Sequence, residues 1–467
     1  QHYLDITFIA KVIEKTTLIQ LPSWRPGRYE LGNFAKNIQQ FNIEDEKGKT
    51  LPFQKVTKDS WQVDTSKAKD IKVSYNYYSI DFNAGSTYLD EEVLYVNPVN
   101  CLVYIPGKEN EKCTVEIPKS KQEKFACGLD LKSGKIKTKD FHELVDTPFV
   151  VSKNLQSKSY DSKGVKFTIW FYGECKPEWK KVIRDFRKFT DFQLKAFGDF
   201  PVKTYSYLNI ILPFKAYHGV EHTTSTVIAL GPSYEVMESL YTEFLGVSSH
   251  ELYHTWNIKT IRPVEMNPYD YSQENYSKLG YVAEGVTTYM GDLILHESGV
   301  FDRDQYAKEI NQYLRKHYNN GGRLNKSVAD SSYDTWLDGY VKGIPHRKGS
   351  IYTEGALVAL MLDLSIRRDT KNERSLDDVM RLLYERFGKT TKGYSEADYT
   401  ISINAAPSGT QASSLTLWEG TVYYVEVCFP NTNIYPGGQS ESRKEAQLRV
   451  ALPNNAPSAA WDPTNDW

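Results

Sequence analysis

Two hydrophobic periods divide this chain. From residue 1 to about 171, apolar and polar positions alternate in short runs separated by turn residues, most clearly at 7–13, 17–21, 71–77, 94–96 and 166–171. Alternation of period two buries one face of each strand, so an all-β, sandwich-like N-terminal domain is expected over 1–172. From about 176 the period lengthens. Apolar residues at helical spacing through 179–189 predict a helix, β-prone runs follow at 207–212 and 226–230, and helices are expected to dominate from 235 to about 387. A few strands beside a helical bulk is an α+β pattern, placed at 173–398. Near Tyr399 the composition changes: beyond it the only basic residues are Arg443, Lys444 and Arg449, and alternation returns at 421–427 between Gly/Pro turns. The fold class expected is therefore multidomain, β plus α+β, ending in a short β-rich segment over 399–467.

Within the helical part, His250-Glu251-Leu252-Tyr253-His254 spells H-E-x-x-H. On a helix the two histidines stand at i and i+4 on one face, so their imidazoles can converge on one metal ion. Glu251 is turned aside from that pair, where it can act on a water. The chain contains His-Glu three times, at His142, His250 and His296, and only His250 is followed by a histidine at the fifth position. A hydrolytic zinc site takes three protein ligands and leaves one position open. Downstream carboxylates are Glu265, Asp270, Glu274, Glu284 and Asp292. The first three lie in a Pro/Asn/Tyr-rich stretch that reads as loop, whereas Glu284 heads a helix over 282–290, a stiffer platform for a ligand. Tyr352, at the start of an apolar helix, could donate its phenol to a developing oxyanion. His218 and His222 read as turn or core histidines, and the Pro-Gly turn at 23–29 reads as structural, with a packed Trp24, in preference to a binding loop.

Bulk properties narrow the field. The chain has 467 residues, enough for two or three domains, and a net charge of −2, which gives no reason to expect nucleic acid as a partner. Five cysteines without C-x-x-C spacing argue against both a cysteine zinc site and a disulfide framework. No apolar run approaches the ~20 residues that span a bilayer, so no membrane span is expected. The chain opens on Gln1 rather than methionine, from which removal of an N-terminal segment, and a periplasmic, cell-surface or secreted location, are expected.

The motifs, taken together, resemble a known family. His250 to Asn257, Ile261-Arg262-Pro263 and Ala283-Glu284-Gly285-Val286-Thr287 are similar to the glycyl aminopeptidase family of gluzincin metallopeptidases, as are Ser331 to Trp336, Tyr352 to Ala356 and the Trp24 to Tyr29 turn. The resemblance runs over about residues 1–398 and implies a thermolysin-like, mostly helical catalytic domain. It implies one Zn2+ per chain held by His250, His254 and Glu284, Glu251 as general base and Tyr352 on the oxyanion. Gly219-Val220-Glu221-His222 is similar to the exopeptidase motif of related aminopeptidases, which makes Glu221, with Gly219, the expected anchor of a substrate's free α-ammonium. Peptides with a free N-terminus, small residues first, are the implied substrates; an endopeptidase or an inactive zinc-binding relative is the alternative. The tail departs from this family. Residues 424–429, 434–440, 443–450 and 461–467 resemble the latter half of a family-three carbohydrate-binding module, which implies contact with a polysaccharide.

Overall fold

The structure is a computed structural model that describes residues 2–340, 343–390 and 392–405, together with the backbone of two strands further on. In the N-terminal part, β1 (Tyr3–Lys11), β6 (Asp70–Tyr78) and β3 (Ile38–Asp45) form one antiparallel sheet, and β2 (Thr16–Gln20), β5 (Ser60–Asp64) and β4 (Phe53–Thr57) a second. The alternation read in the sequence is what joins them: Ile71, Val73 and Tyr75 on one face of β6 share a core with Ile19, Trp61 and Val63 of the other sheet. A four-stranded sheet of β10 (Lys124–Cys127), β12 (Phe149–Ser152), β8 (Leu94–Val96) and β7 (Tyr88–Leu89) adds to this unit, with the pair β9 (Cys113–Glu116) and β11 (Lys135–Thr138) and short helices α1 (Pro98–Cys101) and α2 (Phe141–Val145).

The helical part is built on a five-stranded sheet in the order β13-β14-β15-β17-β16, comprising β13 (Gln156–Ser162), β14 (Val165–Tyr172), β15 (Thr204–Ile211), β17 (Ser225–Gly231) and β16 (Ala216–Glu221). The division expected at residue 172 falls inside this sheet. β14 pairs in parallel with β15, and its buried Phe167, Ile169 and Phe171 join the core of the helices. Alternation identifies a strand but carries no information on which sheet it enters. β16 is the edge strand, antiparallel to β17, so its outer side is free to wall a cleft.

Helices α3 (Trp179–Phe197) and α4 (Tyr241–Tyr253) lie against this sheet, and α5 (Thr287–Glu297), α6 (Arg303–Asn319), α7 (Val328–Tyr333), α8 (Thr335–Asp338), α9 (Thr353–Asp369), α10 (Leu376–Arg386) and α11 (Glu396–Ala405) follow them in the chain. One hydrophobic core, from Tyr160 to Tyr399, runs through these helices apart from α7 and α8, and Trp336 of α8 joins a second core with Trp24. The β-rich segment expected from 399 begins later. Ser395 and Asp398 exchange side-chain-to-backbone hydrogen bonds that start α11, and Tyr399 and Ala405 are buried, so the change of composition at Tyr399 is not a change of structure. Beyond it, β18 (Tyr423–Cys428) and β19 (Glu445–Val450) pair antiparallel. The other tail motifs, 434–440 and 461–467, lie outside the described residues. No helix among the described residues is long and apolar enough to cross a membrane.

Candidate active site

Helix α4 carries His250 and Glu251, and His254 follows in the same helical turn, its N–H donating to the His250 carbonyl. The helix is buried on nearly every side. Small and polar residues let neighbours approach it: Ser249 Oγ donates to the Gly291 carbonyl of α5 at 2.8 Å, and Gln193 of α3 donates to the Ser249 carbonyl at 2.9 Å. Gly291 suits this close crossing, because a Cβ there would lie 3.2 Å from the His250 backbone, tighter than an ordinary contact. Glu284 sits in a π-helical turn, Tyr281–Val286, that runs straight into α5. The sequence reading of a helix start at Glu284 is right in place, and the π turn adds the widened geometry common at functional positions.

Asn257 ties the two pieces together. Its side-chain amide donates to the carbonyls of Val282 and Ala283 at 2.8 and 3.2 Å and to Thr287 Oγ1 at 3.0 Å, while its own carbonyl stands 2.9 Å from His254 Nδ1. Donation from Nδ1–H to that carbonyl leaves Nε2 with its lone pair free, the tautomer a metal ligand needs. The Nε2 atoms of His250 and His254 face each other at 2.9 Å, and Glu284 Oε2 lies 3.4 Å from the second and 3.8 Å from the first.

These three side chains, two imidazoles and a carboxylate, fit a zinc ion in number, type and proximity, their donor atoms all lying within 4.8 Å of one another. Charge argues the same way. Burial opposes a charged His254, yet Glu284, Glu221 and Glu251 hold its pKa up at about 10, so the cluster is short of a cation. For Glu284, burial is likewise outweighed by the two histidines, which hold its carboxyl down to about 2. Glu251 is different: burial pushes it well above the usual carboxylate range, Glu221 and Glu284 add to the rise, His254 opposes it, and its Oε2 accepts no hydrogen bond.

All seven residues singled out in the sequence, Gly219, Glu221, His250, Glu251, His254, Glu284 and Tyr352, line one cleft of about 500 Å3. Glu221 ends β16, is only 4% exposed, and has an Oε1 without a hydrogen-bond partner. Tyr352 is brought beside Glu284 because Gly285 and Gly355 meet backbone to backbone where the π turn crosses α9. Its hydroxyl is 3.2 Å from that of Tyr340, and burial, with the Glu284 charge, keeps it a neutral phenol. His222 is a core histidine, as expected, with Nδ1 3.1 Å from Asp146, which also takes Lys259 at 2.7 Å.

One part of the wall escaped the sequence reading. The turn, whose pattern favours a structural reading over a binding loop, does bury Trp24, whose indole donates to the Asp270 carbonyl at 2.7 Å, but it also reaches the cleft. Gly27 lines it, with a positive φ of 81° and so close to Glu221 that a Cβ would lie 2.5 Å from Oε2. Tyr29 donates to Glu284 Oε1 at 3.2 Å. A Pro-Gly turn framed by arginines and aromatic residues is more than a reversal needs, and that excess was the available signal.

An H-E-x-x-H helix and a downstream glutamate meet in a cleft beside a mixed sheet, the ligand arrangement of the two-histidine, one-glutamate class of zinc metallopeptidases. The M61 peptidase N-terminal domain profile matches residues 1–153 and the M61 glycyl aminopeptidase profile residues 243–358. Over these residues the chain belongs to the M61 glycyl aminopeptidase family. An aminopeptidase N family protein from Idiomarina loihiensis is 28% identical, with a TM-score of 0.80 over 86% of this chain and 70% of that one. An M1 zinc metallopeptidase from Deinococcus radiodurans aligns at 13% identity over 88% of this chain and 87% of its own, with a TM-score of 0.49. A cellulose binding domain profile matches residues 359–467. That match begins inside α9, whose Ala359 and Ile366 belong to the core shared with α4 and α5. Endoglucanase B of Cellulomonas fimi is 38% identical over 81 residues, 17% of this chain but 7% of that enzyme, so the chain spans only a small part of the curated relatives it matches.

Proposed function

We propose that the protein is a zinc-dependent aminopeptidase that removes the first residue, glycine or alanine by preference, from peptides with a free N-terminus. The observation that carries this reading is the buried Glu221 carboxylate, partnerless at Oε1, beside the His250–His254–Glu284 cluster. Glu221 is suited to hold the α-ammonium, which sets the first peptide carbonyl over the cluster and excludes blocked N-termini. The preference for small first residues is supported by the match to the M61 glycyl aminopeptidase profile.

When bound by His250, His254 and Glu284, zinc would supply Lewis acidity, bringing the pKa of a water from near 16 to about 7 and polarising the carbonyl. Glu251, which lines the cleft beside the three ligands, takes the proton of the attacking water and passes it to the leaving amine. Tyr352 keeps its proton and donates to the oxyanion that forms on the carbonyl.

The experiment is metal analysis of the full chain together with hydrolysis of a glycyl chromogenic amide and its N-acetylated form, with and without a chelator. Stoichiometric zinc and chelator-sensitive release from the unblocked amide alone are expected. Cleavage of the acetylated form would make the protein an endopeptidase, and zinc without cleavage an inactive relative. A second reading, polysaccharide binding through the tail, draws on the cellulose binding domain match and accords with an exported protein. Pull-down of the full chain on crystalline cellulose tests it, and failure to bind retires it.

A further inference from the structure

We propose that the Trp24–Tyr29 turn of the N-terminal domain is a working part of the metal centre, with Tyr29 the positioning residue for Glu284. The two oxygens of this carboxylate are divided. Oε2 is the one that faces the imidazole pair, at 3.4 Å from His254 Nε2 and 3.8 Å from His250 Nε2, while Oε1 accepts from the Tyr29 hydroxyl at 3.2 Å. A phenol on one oxygen fixes the plane of the carboxylate and commits the other to the metal, the role outer partners play around ligating groups. Tyr29 is only 4% exposed, so its hydroxyl meets the carboxylate out of reach of bulk water.

Motifs without a role in the chemistry are what hold this phenol in place. Trp336, from the Ser331 to Trp336 stretch, stands edge-on to Trp24 at 5.0 Å and to Tyr29 at 6.0 Å between ring centroids. Trp24, Tyr29 and Trp336 share one core with Ala283, the residue before the ligand. From the same stretch, Ser332 Oγ accepts the Tyr281 N–H at 2.9 Å, the first residue of the π turn. Glu284 is thus gripped by its side chain from the N-terminal domain, while α7 holds the first residue of the π turn that carries it, and neither grip involves α4.

The inference rests on the zinc site proposed above, and its test separates the two. Zinc affinity of the full chain, wild type and Tyr29→Phe, is measured by competition with a chromogenic chelator, and the visible spectrum of the cobalt-substituted proteins is recorded. Trp24→Phe, which loosens the same turn without touching Glu284, is the control, and the metal-free melting temperature of each is taken. The expected result is zinc binding weakened by about 10- to 100-fold in Tyr29→Phe, with an altered cobalt spectrum, and a much smaller loss in Trp24→Phe. Equal affinity in Tyr29→Phe and wild type overturns the inference. So does an equal loss in the two variants in step with melting temperature, which would make the turn structural alone. A wild type that binds no zinc sinks the site reading itself.

Discussion

Gly219 on edge strand β16 and Glu251 on α4 are so close that a Cβ on the first would overlap the carboxylate of the second. The strand approaches as near as a bare backbone allows, and the Glu251 carboxylate is held in the gap. Gly219→Ala should therefore displace Glu251 while leaving the metal ligands where they are. Misplacement of a catalytic group by about 1 Å can cost on the order of 100-fold, so a fall in kcat of that size is expected. Measurement of kcat alongside bound zinc checks it: unchanged turnover would mean the strand yields rather than the carboxylate.

Glu221 offers a cleaner separation of binding from chemistry. If it holds the ammonium, Glu221→Ala removes a charged hydrogen bond of about 1.5–3 kcal/mol, some 10- to 150-fold in affinity. KM for a glycyl amide should rise by that factor, and the preference for free over N-acetylated substrate should collapse. A rise in KM shared equally by acetylated substrates would assign Glu221 to the fold instead.

How much of this was written in the sequence differs from one residue to the next. His250, Glu251 and His254 are legible because a helix of known pitch fixes their relation locally. Glu284 is legible by its position on a stiff element, but the π turn that aims it is not, since that turn depends on Asn257 and Ser332 reaching in from elsewhere. Tyr29 precedes Glu284 by 255 residues, and no periodicity carries a contact across that distance. Likewise β14 reads as a strand from its alternation, while its parallel partner β15 had to be seen. Local pattern fixes elements, and packing between distant segments fixes which face of each becomes a site.

Asn257 should prove costly to replace. Its amide serves three buried acceptors, of which the Ala283 carbonyl also takes the Thr287 hydroxyl, so Asn257→Ala leaves the others short of a donor at about 1–3 kcal/mol for each group left unsatisfied. A loss of roughly 2–4 kcal/mol is expected after partial relaxation, with weaker zinc binding because the carbonyl that orients His254 belongs to the same residue. Denaturation with and without zinc measures both. A variant as stable as wild type would show that water replaces the amide.

Asp292 gives a pH dependence outside the ligand set. It lines the cleft from α5, takes a hydrogen bond from the Tyr313 hydroxyl, and has its pKa driven up to about 7 by burial, with Glu309 adding to the rise and Lys316 opposing it. In the unfolded chain an aspartate titrates near 3.9. The folded state thus keeps a proton that the unfolded state releases, and the stability this contributes is complete below about pH 4 and lost as pH rises through about 7. Asp292→Asn keeps an acceptor for Tyr313 and removes the titration. Relative to this variant, the metal-free wild type should lose stability between pH 4.5 and 7.5, by at most roughly 1.4 kcal/mol per pH unit. Other groups titrate in both proteins and cancel in the difference. Parallel stability profiles would mean that Asp292 is ionised in the fold, with Lys316 drawn in to meet it.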